Sequence, residues 1–250
     1  MSERIQLTIL GTGSALPSPT RLQTGYHIER DGHGLLVDCG SGVVHRLAQA
    51  DIDHRAVDTV LLTHHHLDHV ADLPTLAKAR LLDGHDTLTV IGPPGTEQVC
   101  ETLFGVDDLD DRIELTVREL PLATRSVTVD QYEVTTANIA HSKPGFAYRF
   151  DAGLTISGDT APTAGIAELA DGSDVLIHEC AYPDGVDTDG HTTPTALGEA
   201  IADIELGRVY LTHLFPEADA SSDDLVETVS EYTDADVSVA EDLEQISLDP

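Results

Sequence analysis

The amino-acid sequence of 250 residues predicts a layered α/β domain. Three observations lead to this fold class. Short apolar runs with strand character recur along the chain, segments with helical periodicity lie between many of them, and no long low-complexity linker interrupts the alternation. A chain of this length can bury roughly 70–75% of its unfolded surface. We therefore expect one domain that spans residues 1–250.

The strands are predicted from runs of β-branched, aromatic and aliphatic residues bounded by turn residues. Asp31-Gly32 and the Asp151-Ala152-Gly153 segment lie where hairpins should turn. The predicted strands cover residues 5–10, 26–29, 35–38, 59–63, 87–91, 113–117, 127–130, 132–137, 147–150, 154–157, 175–178, 208–212 and 244–248.

The helices are predicted from apolar residues that recur at intervals of three and four positions. Thr193-Pro194 adds a specific start signal, because threonine is a good N-cap residue and proline suits the first helical position. The predicted helices cover residues 43–50, 73–82, 96–103, 163–170, 194–204 and 224–231.

The charge balance is extreme. The chain has 13 Lys and Arg residues against 45 Asp and Glu residues, which gives a formal net charge of −32, and its lysines are Lys78 and Lys143 alone. Repulsion among so many carboxylates destabilises a folded chain at low ionic strength, whereas at molar salt the Debye length falls to about 3 Å. We therefore expect a salt-adapted protein from a halophilic cytoplasm.

The same composition limits the partners. Holding nucleic acid through many phosphate contacts needs clustered Lys and Arg, which this sequence lacks. No apolar run approaches the roughly 20 residues that a membrane span requires. The first ten residues lack the charged-then-apolar layout of a signal peptide. We therefore expect a cytoplasmic protein without membrane contacts, and the charge disfavours RNA as a partner.

The densest group of chemically active residues follows the apolar run at 60–62. His64-x-His66-x-Asp68-His69 places four potential metal ligands within six positions. A set of imidazole and carboxylate ligands without a thiolate suits Zn²⁺, Mn²⁺ or Fe²⁺ and favours a catalytic over a structural site. The ring of His65 should point away from the other side chains, because successive residues of an extended segment alternate in direction.

Three further ligand candidates follow predicted strands or lie in turns: His141, Asp159 and His213. Residues 60–64 and 209–213 also resemble each other, since each is an apolar strand that ends in Thr-His. We expect two similar half-sheets to bring these two strand ends to one rim. Asp38 follows another strand, where it either orients a ligand histidine or forms a turn.

The remaining isolated histidines are expected to be ordinary surface or core residues rather than ligands. They are His27, His33, His45, His54 and His85.

With these motifs in this order, the chain resembles members of the metallo-β-lactamase superfamily over nearly its whole length. The resemblance implies a four-layer αββα sandwich with two divalent metal ions at the rim of the sheets, zinc being the first expectation and manganese or iron the alternatives. It further implies that Asp159 bridges the two ions. One ion would be held by His64, His66 and His141, and the other by Asp68, His69 and His213.

Within the superfamily, the chain is most similar to ribonuclease Z and its smaller phosphodiesterase relatives. The similarity lies in Leu-Gly-Thr-Gly-Ser-Ala at 10–15, His-Glu-Cys-Ala at 178–181 and His-Thr-Thr at 191–193. The last two resemble that family's His-Glu-Ala-Thr and His-Ser-Thr motifs. The resemblance implies that Glu179 and His191 form a proton relay.

One departure from ribonuclease Z affects the expected substrate. Common ribonuclease Z proteins carry a long tRNA-gripping arm between the ligands that match His141 and Asp159, but here these residues are only 18 positions apart. The spacing resembles that of compact members such as cyclic phosphate phosphodiesterases. We therefore expect small phosphodiester substrates; the family resemblance also implies a homodimer.

The resulting hypothesis is a two-metal-dependent hydrolase that acts on small or cyclic phosphodiesters through water activated by both ions. The expected catalytic residues are Asp68, His191 and Glu179, with His191 protonating the leaving oxygen. Lys143 either contacts the substrate's anionic group or is an ordinary exposed lysine. The alternatives are a ribonuclease Z-like tRNA 3′-end endonuclease, a lactonase or thioesterase, and a non-catalytic metal-binding domain.

We predict that the protein unfolds at a higher temperature in molar KCl than in dilute buffer, because salt screens the repulsion among its acidic side chains. Thermal melts followed by circular dichroism in the two solutions measure this difference. Sucrose at matched osmolality controls for non-ionic stabilisation. A melt that is more stable in dilute buffer contradicts the expected salt adaptation.

Overall fold

Two seven-stranded sheets pack face to face in the computed structural model, which describes residues 4–248. Helices cover the outer face of each sheet. This arrangement is the αββα sandwich that the resemblance implied.

The described chain has fourteen strands. Their bounds are β1 Ile5–Gly11, β2 Gly25–Arg30, β3 His33–Val37, β4 Val57–Leu61, β5 Thr87–Gly92, β6 Glu114–Glu119, β7 Ser126–Val129, β8 Tyr132–Asn138, β9 Phe146–Phe150, β10 Leu154–Ile156, β11 Ser173–Glu179, β12 Leu206–Thr212, β13 Asp236–Val239 and β14 Gln245–Leu248. Strands β6 to β10 follow one another without an intervening helix.

Eight α-helices lie between these strands in the described residues. They are α1 Val43–Gln49, α2 Leu67–Val70, α3 Leu73–Leu82, α4 Thr96–Phe104, α5 Ala164–Ala170, α6 Pro194–Ile201, α7 Pro216–Asp219 and α8 Ser222–Ser230. Short 3₁₀ turns cover His54–Ala56 and Gly105–Asp107.

The two sheets share one strand pattern. The first has the order β14-β1-β2-β3-β4-β5-β6 and the second β7-β8-β9-β10-β11-β12-β13. In each, the first three pairs are antiparallel and the last three are parallel. The carboxyl ends of the parallel strands therefore gather at one rim, where loops can carry functional side chains.

The apolar runs are explained by burial on both faces of each sheet. In β3, Leu35 and Val37 point into the core between the sheets, whereas Leu36 packs with α1, α3 and α4 on the outside. In β11, Val175 and Ile177 join the same central core, and the residue between them packs against α6 and α8. Because successive side chains point to opposite faces of a strand, one continuous apolar run contributes both to the core between the sheets and to the outer core under the helices.

The structure confirms every predicted strand and helix, with shifted ends. The strand predicted at 59–63 ends at Leu61, because the Thr63 N–H donates to the Asp38 carboxylate rather than to a neighbouring strand. The helix predicted at 194–204 ends at Ile201. The short elements α2, α7 and β13 were not predicted; each has only four residues, too few to show a period.

The expected internal symmetry is confirmed only in part. His64 and His213 do reach the same rim, but β4 is the fifth strand in its sheet and β12 is the sixth in the other. Asp38 and Asp159 are the matching pair, since they follow the fourth strand of each sheet, β3 and β10. Within residues 4–248, no helix has the length and apolar character to cross a membrane.

Burial of His27 on β2 generates a stability prediction. The ring is 2% exposed, its Nε2 has no hydrogen-bond partner, and burial lowers its pKa to about 4. Unfolding returns the ring to a pKa of about 6.5, so the unfolded state binds an extra proton and the free energy of unfolding falls as the pH falls from about 6.5 to 4.

We predict that His27→Leu removes this penalty, which amounts to about 2 kcal/mol at pH 5 and nearly vanishes at pH 8. Urea unfolding at both pH values measures the difference. His33→Leu, at an exposed position on the adjacent strand, is the matched control and should leave both curves near wild type. An equal effect of His27→Leu at both pH values would show that protonation of this ring does not matter.

Candidate metal centre

The candidate metal centre lies at the rim where the parallel strands end. His64 follows β4, Asp159 follows β10 and His213 directly follows β12. His141 reaches the same rim from the loop after β8, because β8 runs parallel to β10 through their shared antiparallel neighbour β9. The fold therefore gathers residues that are far apart in sequence.

The first cluster consists of three imidazole rings and one carboxylate. His66 Nδ1 lies 3.0 Å from His64 Nε2 and 3.1 Å from His141 Nε2. Asp159 Oδ2 lies 3.6 Å from His64 Nε2. The potential donor atoms of these four residues all lie within 4.8 Å of one another.

The second cluster shares Asp159 with the first. Asp159 Oδ2 lies 3.2 Å from His213 Nε2 and 3.3 Å from His69 Nε2. Asp68 Oδ2 is 3.9 Å and 3.8 Å from the same two nitrogens. All seven side chains that the sequence predicted as ligands are thus distributed between two adjoining clusters.

The donor atoms fit divalent cations. His69 Nε2 is buried without a hydrogen-bond partner although it faces Asp159, and three ring nitrogens of the first cluster converge at close range. Ligands of a tetrahedral zinc ion, with bonds of 2.0–2.1 Å, lie about 3.3 Å from each other. Nitrogen and oxygen donors at such separations can hold Zn²⁺, Mn²⁺ or Fe²⁺.

Electrostatics keeps most of the imidazole lone pairs available. Burial lowers the pKa of His64, His66 and His141, and it lowers that of His213 to about 4. His69 is the exception: burial opposes its charged form, but the carboxylates of Asp159 and Asp38 outweigh burial and raise its pKa. A cation between these groups would replace the proton on His69.

The outward-facing ring nitrogens have partners that fix the direction of each ring. Such contacts select the tautomer that turns the other nitrogen towards a metal. These contacts are His69 Nδ1 with Asp38 Oδ2 (2.7 Å), His141 Nδ1 with Gly190 O (2.7 Å), His64 Nδ1 with Thr63 Oγ1 (3.2 Å), His66 Nε2 with Ser142 Oγ (3.2 Å) and His213 Nδ1 with Thr24 Oγ1 (3.3 Å).

Asp38, which follows β3, contacts both ends of the histidine-rich loop that follows β4. Its buried carboxylate accepts from the Thr63 N–H (2.8 Å) and Thr63 hydroxyl (2.7 Å) besides its contact with His69. Asp38 and His213 have φ values of 60° and 58°, a region that is costly for residues other than glycine. The surrounding contacts therefore hold both residues in strained conformations at the rim.

The glycine before Asp159 allows the sheets to approach each other. Gly158 has a φ of 62°, and a Cβ at this position would lie 3.0 Å from the Thr63 Cβ. Because a larger residue would force the two segments apart, this glycine helps to bring Asp159 within reach of both clusters.

The buried Glu179 and the partly buried His191 form a pair beside the clusters. His191 Nδ1 lies 2.9 Å from Glu179 Oε1, and the Glu179 carboxylate also accepts from the N–H groups of Thr160, Ala181 and Thr192. Burial raises the pKa of Glu179. Burial opposes the charged form of His191, but its contact with Glu179 outweighs this and raises its pKa.

His191 also stands against the metal-site rings. Its ring centroid is 4.8 Å from that of His141 and 5.6 Å from that of His213. The predicted relay is therefore adjacent to both clusters, with His191 Nε2 not engaged by Glu179.

The structure confirms the predicted direction of the His65 ring and leaves both possible roles of Lys143 open. His65 points away from the clusters, and its Nε2 lies 2.8 Å from Thr96 Oγ1. Lys143 is exposed on the loop after His141 and has no hydrogen bond or ion pair with the described residues. Its position is compatible with either of the two roles.

Several residues that orient ligands were not predicted from the sequence. Thr24, Ser142 and the Gly190 carbonyl contact histidines from distant segments. Thr24 had no sequence signal at all. Ser142 and Gly190 could have been suspected only because each adjoins a candidate residue.

Comparisons of the sequence and the fold with known proteins show the family of the chain. The sequence profile of the beta-lactamase superfamily domain matches residues 33–214. The ribonuclease Z of Mycobacterium avium is 30% identical over 280 aligned residues, which cover 98% of this chain and 99% of that protein.

Two solved structures have the same fold. The metallo-beta-lactamase fold protein YhfI from Bacillus subtilis has a TM-score of 0.84 at 23% identity, over 98% of this chain and 99% of that one. The short form of human tRNase Z has a TM-score of 0.78 at 23% identity, over 98% and 100%. From its profile match, its relatives and its fold, the chain belongs to the metallo-β-lactamase superfamily and is a metal-dependent hydrolase that resembles the ribonuclease Z branch.

Proposed function

We propose that the protein is a two-metal-dependent phosphodiesterase for small or cyclic phosphodiesters. The observation that carries the proposal is the Glu179–His191 pair, which adjoins both clusters of potential ligands. An acid placed beside a metal centre is most useful when the leaving group is an alkoxide, as in the cleavage of a phosphodiester.

The metal ligands follow from the two clusters. His64, His66 and His141 would hold one cation, Asp68, His69 and His213 the other, and Asp159 belongs to both clusters. Zinc is the first expectation. When bound, two divalent cations activate water and offset the charge that develops on the phosphoryl oxygens.

The chain's own residues orient the reacting groups and move one proton. Glu179 binds His191 Nδ1, so the proton for the leaving oxygen is delivered from His191 Nε2. Three backbone N–H groups hold the Glu179 carboxylate in place, which fixes the imidazole ring. Lys143, which has no hydrogen bond or ion pair within residues 4–248, is available to contact a substrate oxygen.

The small size of the substrate is supported by chain length and charge. Only a loop and the short strands β9 and β10 lie between His141 and Asp159, so no arm extends from this position. The net charge of −32 opposes contact with many phosphates.

A tRNA 3′-end endonuclease is the second candidate, because relatives aligned over nearly the full chain are named ribonuclease Z. A panel of substrates in molar KCl separates the candidates: bis-p-nitrophenyl phosphate, a nucleoside 2′,3′-cyclic phosphate, a precursor tRNA with a 3′ trailer, a lactone and a thioester. We expect turnover of the two small phosphodiesters. Cleavage of the tRNA precursor alone supports the endonuclease, turnover of only the lactone or thioester supports a carboxylic ester hydrolase, and no turnover supports a non-catalytic domain.

We predict that His191→Ala lowers kcat for a nucleoside 2′,3′-cyclic phosphate, whose leaving group is an alkoxide, by about 10²–10⁴-fold, the usual contribution of a positioned acid, while both metals stay bound. Asp68→Ala should instead lose metal, because it removes a ligand of the second cluster. Steady-state kinetics and metal analysis of each purified variant measure the two effects.

The matched control is His85→Ala, which removes an isolated exposed histidine and should change neither quantity. Full activity in His191→Ala would remove the proton relay from the proposed mechanism. Unchanged metal content in Asp68→Ala would remove this carboxylate from the ligand set.

A further inference from the structure

Aromatic side chains are scarce in this protein, and their distribution is uneven. The chain has six tyrosines, four phenylalanines and no tryptophan. Seven of these ten are buried in the core. The other three, Tyr182, Phe215 and Tyr232, are partly exposed. Tyr182 and Phe215 lie beside the candidate metal centre.

Tyr182 and Phe215 stack on each other next to the catalytic histidine. Their ring centroids are 4.5 Å apart and their planes differ by 22°. Tyr182 lies 5.8 Å from the ring of His191, and Phe215 lies 6.0 Å from His191 and 5.9 Å from His213. Both side chains are partly exposed, so part of each ring surface can contact a ligand.

The backbone conformation of both aromatic residues is restricted. Each aromatic residue precedes a proline, Pro183 or Pro216, which restricts its backbone to extended conformations. Phe215 has a φ of −71° and a ψ of 160°, and its N–H donates to Ala181 O at 3.1 Å. The backbone at both positions is therefore restricted before a ligand binds, which lowers the cost of ordering this segment on binding.

We propose that Tyr182 and Phe215 form a subsite that stacks against the base of a nucleoside phosphodiester. This inference rests on the proposed phosphodiesterase function and narrows its substrate class. The nearby charges of Glu179 and Glu217 are negative, which suits an uncharged planar base and disfavours a second phosphate at this position. The subsite therefore fits a single nucleoside phosphodiester better than a stretch of RNA.

Binding experiments test the subsite independently of turnover. Isothermal titration calorimetry of the metal-loaded protein compares adenosine monophosphate with ribose 5-phosphate, which lacks the base. We expect wild type to bind adenosine monophosphate about tenfold more tightly, the lower range for stacking of one base on aromatic side chains. Tyr182→Leu and Phe215→Leu should reduce this ratio towards one.

Conservative variants separate stacking from a structural role. Tyr182→Phe and Phe215→Tyr keep a ring at each position and should retain the affinity ratio. Tyr232→Leu changes the third partly exposed aromatic residue, which packs against Gly198 on α6 and lines a cavity near the start of β12. This control should also retain the ratio.

Equal affinities of wild type for the two probes would overturn the subsite, and so would an unchanged ratio in both leucine variants. Turnover of adenosine 2′,3′-cyclic phosphate and glycerol 1,2-cyclic phosphate provides the second comparison. If neither is hydrolysed, the proposed function fails while the affinity ratio still reports on the subsite. If both are hydrolysed with the same kcat/KM, and the leucine variants change neither, the subsite fails while the phosphodiesterase function stands.

Discussion

The site depends on the close approach of one buried carboxylate to histidine side chains from both sheets. Asp159 Oδ2 lies 3.2 Å from His213 Nε2, 3.3 Å from His69 Nε2 and 3.6 Å from His64 Nε2. Buried donor atoms that converge in this way are costly unless hydrogen bonds or a counter-charge satisfy them. At this rim, the buried Nε2 of His69 has no hydrogen-bond partner among the described residues. Cations bound at this rim would satisfy all of these donor atoms together.

The sandwich makes this convergence possible because both sheets end their parallel strands at the same rim. Asp38 and Asp159 follow matching strands but make different contacts. Asp38 contacts His69 Nδ1, on the side away from the clusters, whereas Asp159 faces His69 Nε2. The contacts behind the histidines reduce their freedom to rotate. A preorganised set of donors binds metal more tightly than a flexible set, and it also fixes where a substrate can approach.

The sequence predicted the parts of this site that depend on local spacing or on a recognisable motif. The cluster from His64 to His69 is one loop, so its density alone indicated a metal site, and the alternation of an extended segment placed His65 outside it. The distances that join His141 and His213 to this loop arise from the packing of two sheets, which no single segment encodes. Thr24 was missed for the same reason, since one threonine in a loop has no pattern. The assumed equivalence of β4 and β12 also failed, because similar apolar strands can occupy different positions in their sheets.

Acidic residues dominate the surface, whereas the rim combines histidines with a few buried carboxylates. The candidate site therefore differs in composition from the acidic surface around it. The most direct measurement is the metal content of the purified protein after exhaustive dialysis, by plasma mass spectrometry, in wild type and in Asp159→Asn. We expect two divalent cations per chain in wild type and a clear loss in the variant, because both clusters share this carboxylate. A wild-type protein that retains no metal when reconstituted, or a variant that retains both ions, would contradict a dinuclear centre built around Asp159.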